Sequence, residues 1–365
     1  MKIIAFLRKY IPVPALVALL ILLPSGILYL ISIYVRPLAD FLNSTVGALL
    51  RRILAALTGW LPFSLFELLI ILALPLVLLF VILTVRRARD RVSLVRNVFA
   101  ILALISTIIT TYIFTLGVGY RTTPITAQMG IEDARDVTAS ELYSVATLLR
   151  DEANALSADL TYKNGESVMG YTLGEASDRL CDAYVALSEK YPAVKTFDSR
   201  VKPVLASGIM SDAGITGIYG FPTGEANVNV EYPHHEIVYS AAHEMAHQRG
   251  IARENEANFI AFLVCIVSDD PFVRYSGYLS MLRYFMSAVY ATDKELYQDL
   301  LAGTSERVLS DIRAASAVTA RHKDSLLGKI NDRLNDRYLK FNGTEGVVTY
   351  GYAVRLTVGY YRTYQ

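Results

Sequence analysis

The chain has few cysteines and almost no net charge, and both features exclude classes of protein. Its only two cysteines, Cys181 and Cys265, do not form a CxxC pair. Two thiols cannot build a disulfide framework or an all-cysteine zinc site, so we expect two buried thiols, with a single bridge between them as the alternative. A net charge of +1 gives no reason to expect a nucleic-acid partner.

Apolar residues, in contrast, are abundant and concentrated in the first third of the chain. They make up 53% of the sequence, which is more than soluble proteins usually contain. Three runs reach the ~20 residues that a helix needs to cross a bilayer. These runs cover residues 11–35, 63–85 and 98–120. The sequence therefore predicts a membrane anchor of three transmembrane helices in residues 1–120 and a separate domain in residues 121–365.

Basic residues beside these runs predict an orientation in the membrane. They are Lys2, Arg8 and Lys9 before the first run, and Arg86, Arg87, Arg89, Arg91 and Arg96 around the turn between the second and third. Since basic loops tend to stay in the cytoplasm, the N-terminus is expected to be cytoplasmic and the domain extracytoplasmic. The amphipathic stretch 38–57 is then expected to lie on the outer membrane surface.

The domain is predicted to be mostly helical. Thr138 and Glu141 have capping-box spacing in front of apolar residues at helical intervals, and a second amphipathic run covers residues 175–190. Between residues 207 and 232, glycines separate short segments that predict strands at 215–219 and 226–230. Helical patterns then return. We therefore expect a mainly α fold with a small β element before the helix described next.

The segment HEMAH at residues 243–247 carries the clearest chemical signal. On a helix, His243 and His247 share one face and lie ~6 Å apart along the axis, so both imidazoles can bind one metal ion. Glu244 can then act as the catalytic base that takes a proton from a water activated by the metal. With only five histidines in the chain, a chance match is rare. The spacing predicts a catalytic site with one Zn²⁺ per chain.

A catalytic zinc site needs a third protein ligand. Gly250 is expected to end the first helix, and a second helix is predicted over residues 252–267. Glu254 on that helix is the predicted third ligand, and Asn258, one turn later, is predicted to hold a ligand by a hydrogen bond. Glu256 is the alternative ligand. Three ligands leave one position open, which is the catalytic rather than the structural arrangement.

Four further residues are predicted to lie near a substrate. Glu225 and Asn227 belong to the segment 216–229, which either binds an extended peptide by strand addition or is a plain structural strand. Arg274 and Tyr275 are candidates for stabilising an oxyanion at the substrate carbonyl.

These motifs carry a family resemblance. The helix after HEMAH is similar to the glutamate helix of gluzincin metallopeptidases, in which a ligand Glu is followed one turn later by Asp or Asn. Almost the whole chain also resembles a bacterial membrane family known as domain of unknown function 3810. The matching segments are LPFSLFELL at 61–69, GITGIYGFPTGEANVN at 214–229, HEMAHQRGIARENEANF at 243–259, RYSGYL at 274–279 and NDRYLK at 335–340. Only six residues separate His247 from Glu254, so the turn at Gly250 must be tight.

Together, the residues and the resemblance predict a zinc metallopeptidase anchored in a bacterial cell membrane by several spans. Its partners are expected to be the lipid bilayer and a polypeptide substrate, drawn from membrane-proximal or envelope proteins. Two alternatives stay open at this point. One is a non-catalytic membrane protein with a structural zinc site, and the other is a zinc amidase that acts on the cell wall.

Overall fold

The first third of the chain consists of long apolar helices joined by short amphipathic ones. A computed structural model describes residues 9–86, 90–343 and 350–364. The helices of the first third are α1 (Val13–Tyr34), α2 (Arg36–Leu42), α3 (Ala48–Gly59), α4 (Leu65–Arg86) and α5 (Arg91–Thr115), with a π-helical turn at Asn43–Gly47. The amphipathic stretch 38–57 thus forms most of α2, the π-helical turn and α3.

Three of these helices, α1, α4 and α5, are long and apolar enough to cross a membrane. They match the three predicted runs, although α5 begins and ends earlier than predicted. It begins earlier because the Asp90 side chain accepts hydrogen bonds from the backbone of Val92 and Ser93. It ends earlier because Gly117–Arg121 forms a 3₁₀ turn. Four of the basic residues behind the predicted orientation lie outside the described residues: Lys2, Arg8, Arg87 and Arg89.

The rest of the chain forms a helical domain. Its helices are α6 (Ile125–Met129), α7 (Ala139–Asp159), α8 (Leu173–Lys190), α9 (Ser207–Asp212), α10 (His234–Gln248), α11 (Glu254–Val267), α12 (Pro271–Thr292), α13 (Lys294–Ala302), α14 (Glu306–His322), α15 (Leu326–Phe341) and α16 (Tyr350–Tyr364). The predicted capping box of Thr138 and Glu141 starts α7, and a second one, of Thr172 and Glu175, starts α8.

Strands are few and short. The hairpin of β1 (Tyr162–Lys163) and β2 (Glu166–Ser167) is separate from a three-stranded sheet. The sheet has the order β3 (Lys202–Val204), β5 (Glu225–Asn229), β4 (Gly217–Gly220), in which β5 is parallel to β3 and antiparallel to β4. The central strand β5 is completely buried, and β4 lies at the edge of the sheet. The sheet packs on α10, which is the helix that carries HEMAH.

The hydrophobic core surrounds α10, α11 and α12. Residues 259–265 of α11 are almost entirely buried, including Phe259, Phe262 and Leu263. Both cysteines are free, so the alternative of a bridge is wrong. Cys265 is buried in this core and Cys181 is half-buried, and burial raises the pKa of the Cys265 thiol. Apolar packing of residues 259–265 therefore fixes the helix that follows HEMAH, and with it the direction from which the first turn of that helix starts.

Candidate metal site

Two histidines of α10 face a cavity of about 420 Å³. Ala241, Ala242 and Ala246 favour helix formation and are buried in the core around them. His243 and His247 are four residues apart and therefore share a face, and their Nε2 atoms lie 3.1 Å apart. The two imidazoles meet at one point, as a shared metal ion requires.

A tight turn brings a carboxylate to the same point. Gly250 has a φ of 96°, a left-handed conformation that favours glycine, and α11 begins four residues later. The Oε2 atom of Glu254 lies 3.2 Å from His243 Nε2 and 3.5 Å from His247 Nε2. One ligand atom from each of the three residues lies within 4.8 Å of the others. This group could hold a metal ion.

The donor set fits zinc. His247 Nδ1 lies 2.7 Å from the backbone oxygen of Ile251. Because a carbonyl can only accept, Nδ1 carries the proton and Nε2 turns a lone pair toward His243 and Glu254. Two nitrogens that face each other at 3.1 Å repel unless a cation or a proton lies between them. Two imidazoles and one carboxylate are a common set of protein ligands for catalytic zinc, whose fourth position is taken by water or substrate.

The three side chains also form a strongly coupled electrostatic group. Burial lowers the pKa of His247, but the Glu254 carboxylate more than offsets this and holds that pKa above its usual value. Burial raises the pKa of Glu254, but His247 and His243 outweigh it and hold that pKa well below its usual range. The Glu254 carboxylate thus favours a positive charge beside the two imidazoles, which either a proton or a bound cation can supply.

Glu244 lies beside this group and is held by the edge strand. It is buried, and burial raises its pKa against the opposing effect of His243 and His247. The backbone of Tyr219 in β4 hydrogen bonds to its carboxylate. A Cβ atom at Gly217 would lie 2.7 Å from Glu244 Oε1, so only glycine leaves room for this carboxylate. Strand β4 thus positions the predicted base.

The alternative ligand, Glu256, is used elsewhere. Its Oε1 atom accepts hydrogen bonds from the backbone of Ile125 at 3.2 Å and from Arg253 at 2.9 Å. It is buried in that position, and burial raises its pKa. Glu256 therefore links α11 to α6 and is not part of the group that could hold a metal.

Asn258 lines the cavity but does not hold a ligand in the described part of the chain. Its Oδ1 atom accepts a hydrogen bond from Tyr284 at 3.5 Å, and its backbone oxygen accepts one from Tyr239 at 2.9 Å. The residue that supports a ligand is instead Ile251, whose backbone oxygen binds His247. The predicted supporting role thus falls to the turn rather than to the second helix.

Glu225 and Asn227 do not line the cavity, which corrects the prediction made for them. Both lie on β5, and β4 lies between that strand and the cavity. The Glu225 carboxylate accepts hydrogen bonds from the backbone of Leu65 at 3.0 Å and of Phe66 at 2.7 Å, at the start of α4. Asn227 donates to the backbone oxygens of Ile218 and Glu225, both at 3.1 Å. These two residues therefore hold the sheet together and attach it to α4.

Arg274 and Tyr275 also lie away from the cavity, because they face other sides of α12. The Tyr275 hydroxyl donates to Asp311 Oδ2 at 2.6 Å, and burial raises its pKa. Arg274 pairs with Glu152 of α7 at 3.9 Å. An oxyanion role for these two residues is not compatible with these positions.

Sequence reasoning missed several residues that do line the cavity. They are Tyr112, Tyr120, Tyr219, Tyr239, Tyr284 and Tyr338, together with Asn331 and Asn335 of α15. The Tyr120 and Tyr338 rings make an edge contact with centroids 6.0 Å apart. Burial raises the pKa of Tyr120, and the nearby Glu254 carboxylate raises it further. Two sequence signals existed: the segment 216–229, predicted as a possible peptide-binding strand, contains Tyr219, and the segment NDRYLK covers Asn335 and Tyr338 but suggested no role.

The turn between the two ligand helices is fixed by residues from the first third of the chain. Asn43 Nδ2 donates to the backbone oxygen of Gly250 at 3.0 Å. Arg51 is 1% exposed and donates to the backbone of Asn43 at 2.8 Å and to the backbones of Phe114 and Thr115 at 3.3 Å. A Cβ atom at Gly250 would collide with the Arg51 guanidinium. The position of Glu254 thus depends on α3 and on the end of α5.

A second set of hydrogen bonds connects α4 to the sheet. Glu67, inside the second apolar run, accepts from the backbones of Leu205 at 3.0 Å and Ala206 at 2.7 Å. Lys202 of β3 donates to the backbone oxygens of Gly59, at 3.1 Å, and Leu61. Together with Glu225, these side chains form hydrogen bonds with backbone N–H and C=O groups both at the start of α4 and in the domain. The start of α4 is therefore part of the domain.

The fold and the site together define a class of protein: a mainly helical chain with three span-length apolar helices and a His-His-Glu group that could hold a metal ion. No curated protein and no solved structure matches the chain. The chain belongs to the family described as "Protein of unknown function (DUF3810)", whose model matches residues 43–358. That match includes the His243, His247 and Glu254 group that could hold a metal ion, α15, and the residues that join the domain to α4 and α5.

Proposed function

We propose that this protein is a zinc-dependent metallopeptidase, anchored in a membrane by α1, α4 and α5, that hydrolyses peptide bonds of membrane-proximal or envelope proteins outside the cytoplasm. The observation that carries this proposal is the convergence of His243, His247 and Glu254 beside a cavity in which Glu244 also lies. The orientation is supported by the positions of the basic residues around the apolar runs.

The zinc would be held by His243 Nε2, His247 Nε2 and Glu254 Oε2. When bound, a zinc ion supplies Lewis acidity, which makes water a nucleophile near neutral pH and polarises the substrate carbonyl. Glu244 takes the proton of the attacking water and passes it to the leaving amine. Its burial favours this role, because a raised pKa brings a carboxylate closer to the pKa of the groups it exchanges protons with.

The substrate backbone is proposed to lie along β4. Gly217, Ile218 and Tyr219 line the cavity, and β4 is the end strand of its sheet. An extended peptide that adds to this edge is held by main-chain hydrogen bonds. Because Glu244 packs against Gly217, the peptide would pass directly beside the base.

Two tyrosines are proposed to bind the substrate carbonyl as negative charge develops on its oxygen. Tyr120 and Tyr338 line the cavity, and Tyr120 lies near the Glu254 carboxylate. Both hydroxyls have pKa values raised by burial, so they stay protonated and able to donate near neutral pH. Donors placed where charge develops are among the larger contributors to catalysis.

The decisive test is the substitution Glu244→Gln in the full-length protein in detergent or nanodiscs. The isosteric amide cannot take up a proton, so hydrolysis of fluorescent casein should fall at least ~100-fold. Zinc content, measured by inductively coupled plasma mass spectrometry, should stay at one ion per chain. A variant with full activity would show that Glu244 is not the base. Zinc without any hydrolysis in the parent protein would favour the structural-zinc alternative, and cleavage of peptidoglycan fragments alone would favour the amidase.

A further inference from the structure

One helix of the domain has an apolar face that nothing in the described residues covers. On α15 five large apolar side chains are exposed by 45% to 73%: Leu326, Leu327, Ile330, Leu334 and Phe341. At ~100° per residue they fall within an arc of about 100° around the helix axis. Leaving this much apolar surface in water on one stripe is unfavourable, so the stripe points to a partner.

The two flanks of this apolar stripe differ in character. On one flank lie the basic residues Lys329, Arg333 and Lys340, of which Lys340 pairs with Asp336 at 2.7 Å, and Arg337 lies just inside this edge of the stripe. On the other lie the residues that line the candidate cavity: Asn331, Asn335 and Tyr338. A helix with an apolar stripe and a basic flank is typical of helices that lie in the plane of a membrane surface.

The C-terminal end of α15 adjoins the end of α5. The Tyr112 hydroxyl donates to Asn342 Oδ1 at 2.9 Å. The Tyr112 and Tyr338 rings make an edge contact with centroids 6.5 Å apart. Arg121 donates to the backbone oxygen of Phe341 at 3.5 Å. This end of α15 therefore lies where the third span-length helix leaves the apolar region.

The N-terminal end of α15 adjoins the start of α4 through α9. Ser325 donates to the backbone oxygen of Asp212, and Asn331 donates to that of Ala213 at 3.0 Å. The other end of α9 follows Leu205 and Ala206, whose backbone binds Glu67 of α4. Thus α15 runs between the domain-side ends of α4 and α5, which are the points where both would leave a bilayer.

Other exposed apolar side chains lie near the domain-side ends of α4 and α5. Leu205 and Ile209, next to the start of α4, are 86% and 62% exposed. The helix α3, which Arg51 joins to the end of α5, exposes Leu49, Ile53 and Leu57, and Trp60 directly after it is exposed as well. Elsewhere in the described part of the domain, large exposed apolar side chains occur singly: Val185, Val230, Val267, Tyr290 and Tyr364. The apolar surface is thus concentrated around the domain-side ends of the span-length helices.

We propose that the apolar stripe of α15 lies in the lipid bilayer, at the boundary between headgroups and acyl chains, with Leu205 and Ile209 beside it. The bilayer fits better than a protein partner because the stripe continues the apolar surface of α4 and α5 and because the basic flank matches lipid phosphates. This inference rests on the membrane anchoring proposed above and not on the metal.

One consequence concerns the substrate. Because α15 lines the cavity together with Tyr112 and Leu116 at the end of α5, this arrangement would place one wall of the cavity at the membrane surface. A polypeptide segment can reach it only within a few residues of the bilayer. The proposed site therefore selects cleavage points close to where a substrate enters or leaves the membrane.

The test is quenching of a fluorophore by brominated lipid. Leu334→Cys and Leu327→Cys are labelled with bimane in a Cys181→Ser background, since Cys265 is buried, and each full-length variant is placed in nanodiscs at one copy per disc. The matched controls are Asp332→Cys, about 180° around α15 from the stripe, and Val185→Cys, an exposed apolar position on α8. All four positions are exposed, so labelling leaves the core intact.

The stripe positions should lose fluorescence ~2-fold or more when the lipid carries bromine near the headgroup end of its acyl chains, and the controls should not. Equal quenching at Leu334→Cys and Asp332→Cys, or no quenching at Leu334→Cys, would overturn the proposal. Disulfide cross-linking of Leu334→Cys between copies, without quenching, would assign the stripe to a second chain instead. Because the readout is lipid contact, the result stands even if the protein proves to bind no zinc.

Discussion

The wall of the cavity that carries the candidate metal ligands and the wall formed by α15 are built in different ways. The first consists of α10, the turn at Gly250 and α11, with β4 beside them. These elements are closely packed, with no room for a Cβ atom at Gly250 in the turn or at Gly217 in β4. The second is largely exposed on its outer side and is held mainly near its two ends. Rigid placement suits ligands that must meet within tenths of an ångström, whereas an exposed wall suits contact with a substrate and a membrane.

The largest expected effect is a difference in zinc affinity between substitutions of two glutamates on the same helix. Glu254→Ala removes a proposed ligand. Losing a hydrogen bond that only supports a ligand costs up to ~100-fold in metal affinity, so losing the ligand itself should lower zinc affinity by more than that. The matched control Glu256→Gln changes a buried glutamate that faces α6, so its zinc affinity should be unchanged. Competition with a chromophoric chelator measures both affinities. Equal loss in the two variants would contradict the assignment of the third ligand.

A single methyl group on β4 should separate metal binding from catalysis. Gly217→Ala places a Cβ atom 2.7 Å from Glu244 Oε1, so the carboxylate must move. A misplacement of about 1 Å can lower a rate ~100-fold, and hydrolysis of fluorescent casein should fall by that order while zinc content is retained. The control is Gly208→Ala, where an added Cβ meets nothing within 4 Å. A Gly217→Ala variant as active as this control would show that Glu244 needs no such support.

On the exposed wall, the expected effect is smaller. Tyr338→Phe keeps the ring contacts with Tyr112 and Tyr120 but removes the hydroxyl. If that hydroxyl stabilises the developing charge, kcat should fall about 10- to 100-fold with KM and zinc content unchanged. A rise in KM alone would mean that Tyr338 only helps to bind the substrate.

The smallest expected effect is a pH dependence of local stability at the N-terminal end of α15. His322 Nδ1 lies 2.7 Å from Asp212 and its Nε2 3.2 Å from Glu231, and these hydrogen bonds raise its pKa. A histidine whose pKa is higher in the folded than in the unfolded chain stabilises the fold at a pH below its unfolded pKa of ~6.5. This stabilisation is lost as the pH rises through the folded-state pKa. Amide exchange in residues 326–341, corrected for the intrinsic rate, should therefore be slower at about pH 6 than at about pH 8.5.

His322→Gln is the control for that measurement, because glutamine does not titrate. In this variant the corrected exchange rates at the two pH values should agree. A pH dependence that persists without His322 would show that another titrating group is responsible.

The parts of the site that were predictable from the sequence are those with a local cause. The spacing of His243 and His247 fixes their geometry within one helix turn, and Gly250 marks the reversal that brings Glu254 back. Apolar length and composition located the three span-length helices. The short strands β1, β2 and β3 were not predicted, because two or three residues carry no periodicity.

Residues whose position depends on distant parts of the chain could not be predicted in the same way. Glu225 was assigned to a cleft because the order of strands in the sheet is not visible in the sequence; β5 is central and faces α4. Tyr120 and Tyr338 line the same cavity although more than two hundred residues separate them. Nothing in their neighbourhoods indicates that α5 and α15 meet.

The hydrogen bonds between the apolar helices and the domain make the anchor part of the folding unit. A fragment that begins after α5 would leave Glu225, Lys202 and the carbonyl of Gly250 without these hydrogen-bond partners and would expose the surface that the first third of the chain covers. It would also remove Arg51, against which the Gly250 turn is packed. Detaching the domain by proteolysis should therefore disturb the group that could hold a metal ion rather than release an intact soluble domain.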